Sequence, residues 1–470
     1  MKDNQYWLLP FNFSRISGKE VLVNELGDML IAENGTVQSI VDRTIDTKTD
    51  IYKSLVANFF ISESLVPELS DIYASRLNEK KRYLDDFTTL HIFVLTLRCN
   101  QNCIYCQASS RDEEALKCTM SFEDMERAVN LMFKSPSKFL TMEFQGGEPS
   151  LLPELVEYGV SLAKKINETE CREMSYVLCT NCINLSEKIL DICKRYDIVI
   201  STSLDGPQWL HNANRGRENS YQKVTAGIAR ARHVLGHDSV AALMTTSVQA
   251  LDYPQEIVDA YIENGFHSIF FRALNPYGLA LKTENWDEYT DRFIDFYKKG
   301  FEYILDLNKK GTFIVEEFAV IVLRKMLSPF CTGFVDLQSP AGIINGVLIY
   351  NYDGYVYASD ESRMLAEYGD YTFRLGSLKD NYEDIVYSDK VKAITDVWAN
   401  ECLAGCSDCG IREYCGADPV RNHSTQGDMY GYRPTSFLCR KNKAIIEYII
   451  SLIIEREDEV MPIFNSWLMR

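Results

Sequence analysis

The 470-residue sequence predicts an α/β protein, and three observations carry that reading. Six short apolar segments alternate with segments of helical period through the middle of the chain, a stretch of different texture precedes them, and a cysteine-rich, turn-rich stretch follows. At roughly 100 to 200 residues per domain the length has room for two to four domains. The divisions fall at 1–85, 86–310 and 311–470.

In the first 85 residues, apolar segments 21–23 and 29–32 flank Glu25-Leu26-Gly27-Asp28, and Asn34-Gly35 signals a turn. Apolar positions Val37, Ile40 and Val41, then Ile51, Leu55, Phe59 and Phe60, suggest small helices, and 68–82 reads as a charged surface helix. That is a small α+β module. From residue 90, apolar strands are expected at 90–97, 139–144, 176–180, 198–204, 239–245 and 268–271. Between them, 122–133, 155–166, 185–196, 221–234 and 254–264 place apolar residues three or four apart, with Ser121 and Ser186 as N-terminal caps. Repeated strand-helix units imply a parallel sheet with right-handed crossovers. Six units are too few for a closed eight-stranded barrel, which leaves an open barrel or a doubly wound sheet; either puts the chemistry at the carboxyl ends of the strands. After about Leu307 the pattern gives way to a helix at 315–327, a hairpin through Asn351-Tyr352-Asp353-Gly354, and the cysteine-rich tail.

Composition narrows the partners. The 49 Lys+Arg against 67 Asp+Glu give 49 − 67 = −18, a repulsive field for a polyphosphate, so nucleic acid is not expected. The start, MKDNQYWLLPF, has no apolar run of signal-peptide length, and 444–454 is interrupted by Glu447 and too short for a bilayer. A soluble, cytoplasmic protein without a membrane partner is expected. In that compartment fourteen cysteines point to metal or redox chemistry, because the cytosol keeps thiols reduced.

Cys99, Cys103 and Cys106, spaced CxxxCxxC, follow the first predicted strand, so three thiolates stand at its carboxyl end. Thiolates suit iron–sulfur clusters or zinc. A cubane has four irons, so three protein ligands leave one iron open. Four further cysteines, Cys406, Cys409, Cys415 and Cys439, are sufficient to saturate a second [4Fe–4S] cluster or a zinc ribbon. Cys118, Cys171, Cys179, Cys182, Cys193 and Cys331 are scattered, and small buried hydrophobes are the simpler reading; Cys179-x-x-Cys182 is read as packing.

The first cysteine segment, with aromatic Tyr105 before its last cysteine, resembles the signature of the radical S-adenosylmethionine (SAM) enzymes. The resemblance covers most of the chain. It implies a partial (β/α)6 TIM-like barrel in which a SAM-binding [4Fe–4S] cluster is held by Cys99, Cys103 and Cys106. Gly146-Gly147-Glu148-Pro149 is similar to the family's GGEP motif, which binds the SAM amino group: glycines let backbone approach a ligand, and a carboxylate can accept from an ammonium. Thr180-Asn181 ends the third strand, and the segment 201–207 with His211, Asn214 and Arg215 resembles the SLDG segment of peptide- and sulfatase-maturing members. By matching position Tyr105, Gly146, Gly147, Glu148, Thr180, Asn181, Ser203 and Arg215 are expected at the cofactor, and Asp205 in catalytic proton transfer, with a turn-capping Asp205 weighed equally. His211 is given no role.

The C-terminal segment resembles the SPASM extension of radical SAM peptide maturases, which usually holds two auxiliary clusters. This chain has Ser339-Pro340-Ala341-Gly342, Tyr357-Ala358-Ser359 and Pro419 where relatives place cysteines, so the resemblance implies one auxiliary [4Fe–4S] cluster, with Cys331 and Cys402 spare. Stretches such as HIFVLTLRCNQNCIYCQ, VDLQSPAG and RPTSFLCRKN look like the His-Xaa-Ser system radical SAM maturase within that group. The N-terminal module is similar in outline to a winged-helix element that grips a leader peptide; a structural cap on the barrel is the other reading. The expected enzyme is a peptide-modifying oxidoreductase making a ribosomally derived, post-translationally modified product. Its partners would be a precursor peptide, with His-Xaa-Ser repeats as a candidate, and an electron donor such as flavodoxin or ferredoxin. A sulfatase-type formylglycine maturase and a non-catalytic iron–sulfur or zinc scaffold are the alternatives.

Overall fold

The computed structural model describes residues 6–64, 67–216, 218–282 and 285–469; residues 1–5 of the N-terminal reading lie outside them. Five parallel strands stand side by side in chain order: Leu90–Thr96, Phe139–Gly146, Glu173–Cys179, Ile198–Ser203 and Val240–Leu243. Helices Phe122–Met132, Pro153–Glu170, Glu187–Tyr196 and Ser220–Leu235 cover the connections. Ser121 and Ser186 cap two of them, their side chains accepting from the Asp124 and Ile189 amides. The result is a mixed α/β partial barrel whose sheet continues at its other edge into the C-terminal region.

The sixth predicted strand departs from the sheet. Ser268–Ile269 pairs in parallel with Val315–Glu316, and an isolated bridge between Thr246 and Ala273 links the segment that follows to the barrel. The cause is Glu316, whose buried carboxylate accepts from the amides of Phe271, Phe318 and Ala319 and from the Tyr297 hydroxyl. A carboxylate with that many partners fixes the chain around it. The place next to the first barrel strand is taken by Val347–Asn351, which pairs with it in parallel and turns at Gly354 (φ +84°) into Tyr355–Tyr357. The hairpin expected at Asn351–Gly354 is therefore part of the main sheet.

At the N-terminus, Phe11–Ile16, Lys19–Asn24 and Met29–Ala32 form an antiparallel sheet with its own core of Tyr6, Leu22, Ile40, Tyr52, Leu55 and Phe60. Phe11–Ile16 had no apolar signature, because its FNFSRI sequence is half polar and Ile16 alone in it is buried. The C-terminal helix Phe437–Leu468 packs along Trp286–Lys309, where Trp467 and Phe464 meet Phe301. No helix among the described residues is long and apolar enough to cross a membrane.

Phe93 joins the barrel to the hairpin: it is fully buried, with its ring 5.0 Å from Tyr350 and 6.1 Å from Phe144. Phe93→Ala should cost about 3–5 kcal/mol and lower the thermal midpoint. An unchanged midpoint would show that the hairpin is not packed on the barrel through this ring.

Candidate active site

The loop at 99–106 has no regular secondary structure, so its position is borrowed from its neighbours. The Cys99 amide donates to Arg111 O, Ile104 N to Asn214 O and Leu279 N to Cys106 O. Glycine makes these approaches close enough. A Cβ on Gly216 would lie 2.2 Å from Asn102 O, and one on Gly278 2.3 Å from Cys106 O, both at positive φ. Gly146 and Gly147 act alike: an added Cβ would meet Thr96 O at 2.1 Å and Arg98 O at 2.3 Å. Their freedom is used against the strand that carries the cysteines, a role beyond the ligand approach expected from sequence.

Behind the loop lies a buried polar assembly. Arg215 donates to Asp205 through Nε (3.1 Å) and Nη2 (2.9 Å), and Asn214, the Thr245 amide and the Tyr105 hydroxyl donate to the same carboxylate. Burial pushes the Asp205 carboxyl up, but the Arg215 charge and the donors outweigh it and hold it below the ordinary carboxylate value. Asp205 is fully buried and is not among the residues lining the cavity. Its carboxylate, the group expected in proton transfer, is engaged by these donors and anchors Tyr105 and Arg215. His211, whose Nδ1 accepts from the Asp205 amide, extends the assembly through Ser220 to Gln101.

Glu148 is held by its neighbours in the same way. Its buried carboxylate accepts from Thr180 Oγ1 (2.6 Å), Asn181 N (2.8 Å) and Ser150 N (3.0 Å). Burial pushes it above the usual carboxylate range. It braces the third strand end, and Asn181 in turn donates to Asn100 next to Cys99 (2.7 Å).

In front of the cysteine loop lies a cavity of about 660 Å³. Cys99, Cys103, Tyr105 and Cys106 line it together with Gly146, Gly147, Thr180, Asn181, Ser203 and Arg215. Burial pushes the Cys99 thiol up to about 12 and the Cys103 thiol up to about 11. Buried thiols hold their protons until a metal displaces them. The C-terminal region adds Asp336, Asp360, Glu361, Arg363, Arg421 and Lys441 to the lining.

Sequence reasoning missed the barrel floor. Glu143, Gln145, Cys179 and Ser201 point into the cavity, and Cys179 donates to Glu143 Oε1 at 3.4 Å. The signal was there: in LTMEFQG the alternate Leu140, Met142 and Phe144 are buried toward the helices, which leaves Glu143 and Gln145 on the lumen face.

Cys406, Cys409, Cys415 and Cys439 are drawn together, since Cys406 senses the charge of the other three. Cys439 lies in the first turn of the C-terminal helix, where its amide donates to the capping Ser436 Oγ and burial pushes its thiol up. Cys331 instead feels Asp86 and Glu79, apart from this group. Among the described residues no three Cys, His, Asp or Glu side chains close tightly enough to cage a single ion, for which zinc would need thiolates at about 2.3 Å.

The Asp205–Arg215 pair sets a pH dependence. With its folded value below the unfolded one of about 3.9, Asp205 contributes stability at neutral pH that is lost as pH falls through that lower value. Asp205→Asn leaves a buried unpaired guanidinium and should cost about 3–5 kcal/mol at neutral pH. Denaturant unfolding of both proteins should show the gap shrinking in acid; a gap independent of pH contradicts the pairing.

Comparison with known proteins agrees with this architecture. Residues 93–260 match the model of the Radical SAM superfamily. An uncharacterized protein of Methanocaldococcus jannaschii is 29% identical over 187 residues, 39% of this chain and 62% of that protein, so the chain spans less than two thirds of that relative's length. The native anSMEcpe structure with bound AdoMet and Cp18Cys peptide superposes with TM-score 0.62 at 17% identity, over 80% of this chain and 99% of that one. Streptococcus suis SuiB bound to the precursor peptide SuiA gives TM-score 0.54 at 13% identity, over 92% of this chain and 100% of that one. Together with the strand order, these matches establish that the chain has the radical SAM fold.

Proposed function

We propose that this chain is a radical SAM enzyme that modifies a ribosomally made peptide. One observation carries the proposal: three thiols spaced CxxxCxxC stand at the carboxyl end of the first barrel strand, on the wall of a cavity spacious enough for cofactor and substrate together. When bound there, a [4Fe–4S] cluster with its open iron on SAM supplies a 5′-deoxyadenosyl radical able to abstract hydrogen from unactivated carbon.

The donor set fits that cofactor pair. Cys99, Cys103 and Cys106 would hold the cluster, while Gly146, Gly147, Thr180, Asn181, Ser203 and Arg215 line the space beside it where SAM would lie. Tyr105 is turned back onto Asp205 and keeps the loop in place. Residues of the C-terminal region line the same cavity, where they would limit access of water to the reacting carbon. Cys406, Cys409, Cys415 and Cys439 would hold one auxiliary [4Fe–4S] cluster that takes up the second electron of an oxidation.

The fold neighbours anSMEcpe and SuiB were solved with peptides bound, which supports a peptide substrate here. The carboxylates Asp336, Asp360 and Glu361 on the C-terminal wall suit a cationic side chain, such as the imidazole of a His-Xaa-Ser repeat. An outer strand of the N-terminal sheet, Met29–Ala32, offers an edge to which a leader could add. Flavodoxin or ferredoxin would supply electrons in a reducing cytoplasm, the compartment that suits fourteen free thiols.

The test is anaerobic reconstitution with iron and sulfide, followed by SAM and dithionite. Wild type should bind about eight irons per chain and release 5′-deoxyadenosine, whereas Cys99→Ala should bind about four and release none. About twelve irons would overturn the two-cluster reading. Zinc in place of the second set of irons would return the C-terminal site to a ribbon, and no 5′-deoxyadenosine from wild type would remove the enzyme reading.

A further inference from the structure

Among the described residues two buried guanidinium groups reach the cysteine loop or the residues just after it, one from the barrel and one from outside it. Arg215 brings Nη1 to 4.0 Å from Cys103 Sγ, but Asp205 takes two of its nitrogens. The other is Arg363, which comes from the C-terminal region, on helix Asp360–Ala366.

Arg363 is 1% exposed, among the largest fully buried side chains of the protein. Its helix is fixed at the start by a reciprocal capping box, in which the Ser359 and Ser362 side chains each accept from the other's amide. From there Nε donates to Asp360 Oδ1 at 2.8 Å, and Nη1 donates to Ala108 O at 3.1 Å, two residues beyond Cys106. Nη2 has no hydrogen-bond partner among the described residues, and the side chain lines the cavity. The helix follows the hairpin whose first strand pairs with Leu90–Thr96, the strand that leads into the cysteine loop. One continuous piece of sheet therefore carries both the loop and the cation that reaches back to it.

We infer that Arg363 is a positioning residue through which the C-terminal region holds the cysteine loop and sets the charge felt by the cluster bound there. The inference rests on the functional reading above. It follows from burial: a charge in a water-poor site acts over longer range than a surface one. Adding an electron makes a cluster more negative, so a nearby guanidinium favours the reduced state and the Asp360 carboxylate opposes it. The two residues should therefore move the reduction potential in opposite directions.

The test is an EPR-monitored redox titration of the full chain, anaerobically reconstituted, following the cluster signal that changes on adding SAM. Arg363→Gln should lower the reduced-to-oxidised ratio at fixed potential about tenfold, 59 mV for a one-electron couple. Asp360→Asn should raise it. Arg363→Lys, which keeps the charge and loses the fork, should stay close to wild type, so that charge is separated from packing. Shifts that are absent, shifts of the same sign in Arg363→Gln and Asp360→Asn, or an Arg363→Lys protein behaving as Arg363→Gln overturn the inference alone. A wild type with no SAM-responsive signal overturns the functional reading and the inference with it.

Discussion

The bidentate pairing of Arg215 with Asp205 is the interaction on which the candidate site depends. The cysteine loop has no ladder or helix of its own, and three thiols facing a cavity must still be held within ångströms of one another. A single buried carboxylate does this for three elements at once: it fixes Tyr105 in the loop, Asn214 and Arg215 on helix Gln208–Arg215, and the Thr245 amide beyond the fifth strand. A buried ion pair adds little net stability relative to apolar packing, but losing one partner leaves a costly orphan charge. Such a pair is better understood as a device for fixing geometry, which is what a loop without secondary structure requires.

The second constraint is the floor and roof of the cavity. A closed eight-stranded barrel fills its lumen with branched apolar side chains. Here the lumen-facing positions carry Glu143, Gln145, Cys179, Ser201 and Ser203, and the roof adds carboxylates and cations from the C-terminal region. Burial pushes Glu143 above the usual carboxylate range and the Cys179 thiol well above its own. A cavity lined by charged and apolar side chains together is suited to holding an extended ligand.

Much of this was legible in the sequence where a short-range rule applied. Five barrel strands and their helices follow from period, and Ser121 and Ser186 from capping chemistry. The cysteine spacing pointed to the site because thiolates three and four residues apart at a strand end have few other uses. What escaped were pairings between distant residues. The sixth strand is drawn off by Glu316, about 45 residues away in sequence, and the parallel pairing of Val347–Asn351 with Leu90–Thr96 joins segments about 257 residues apart. Asp205 was expected in proton transfer and Glu148 at the cofactor, and a one-dimensional motif cannot show that Arg215, Thr180 and Asn181 also donate to their oxygens. Arg363 carries no motif at all; only the fold brings it to Ala108.

The central claim is that one iron of the cluster held by Cys99, Cys103 and Cys106 is left for a small-molecule ligand. Electron–nuclear double resonance on the reduced protein, with SAM carrying a nitrogen-15 amino group, interrogates that iron directly. A resolved nitrogen-15 coupling to the cluster is the result this account predicts. A reduced cluster whose spectrum is indifferent to labelled SAM would mean that all four irons are already ligated, and would contradict it.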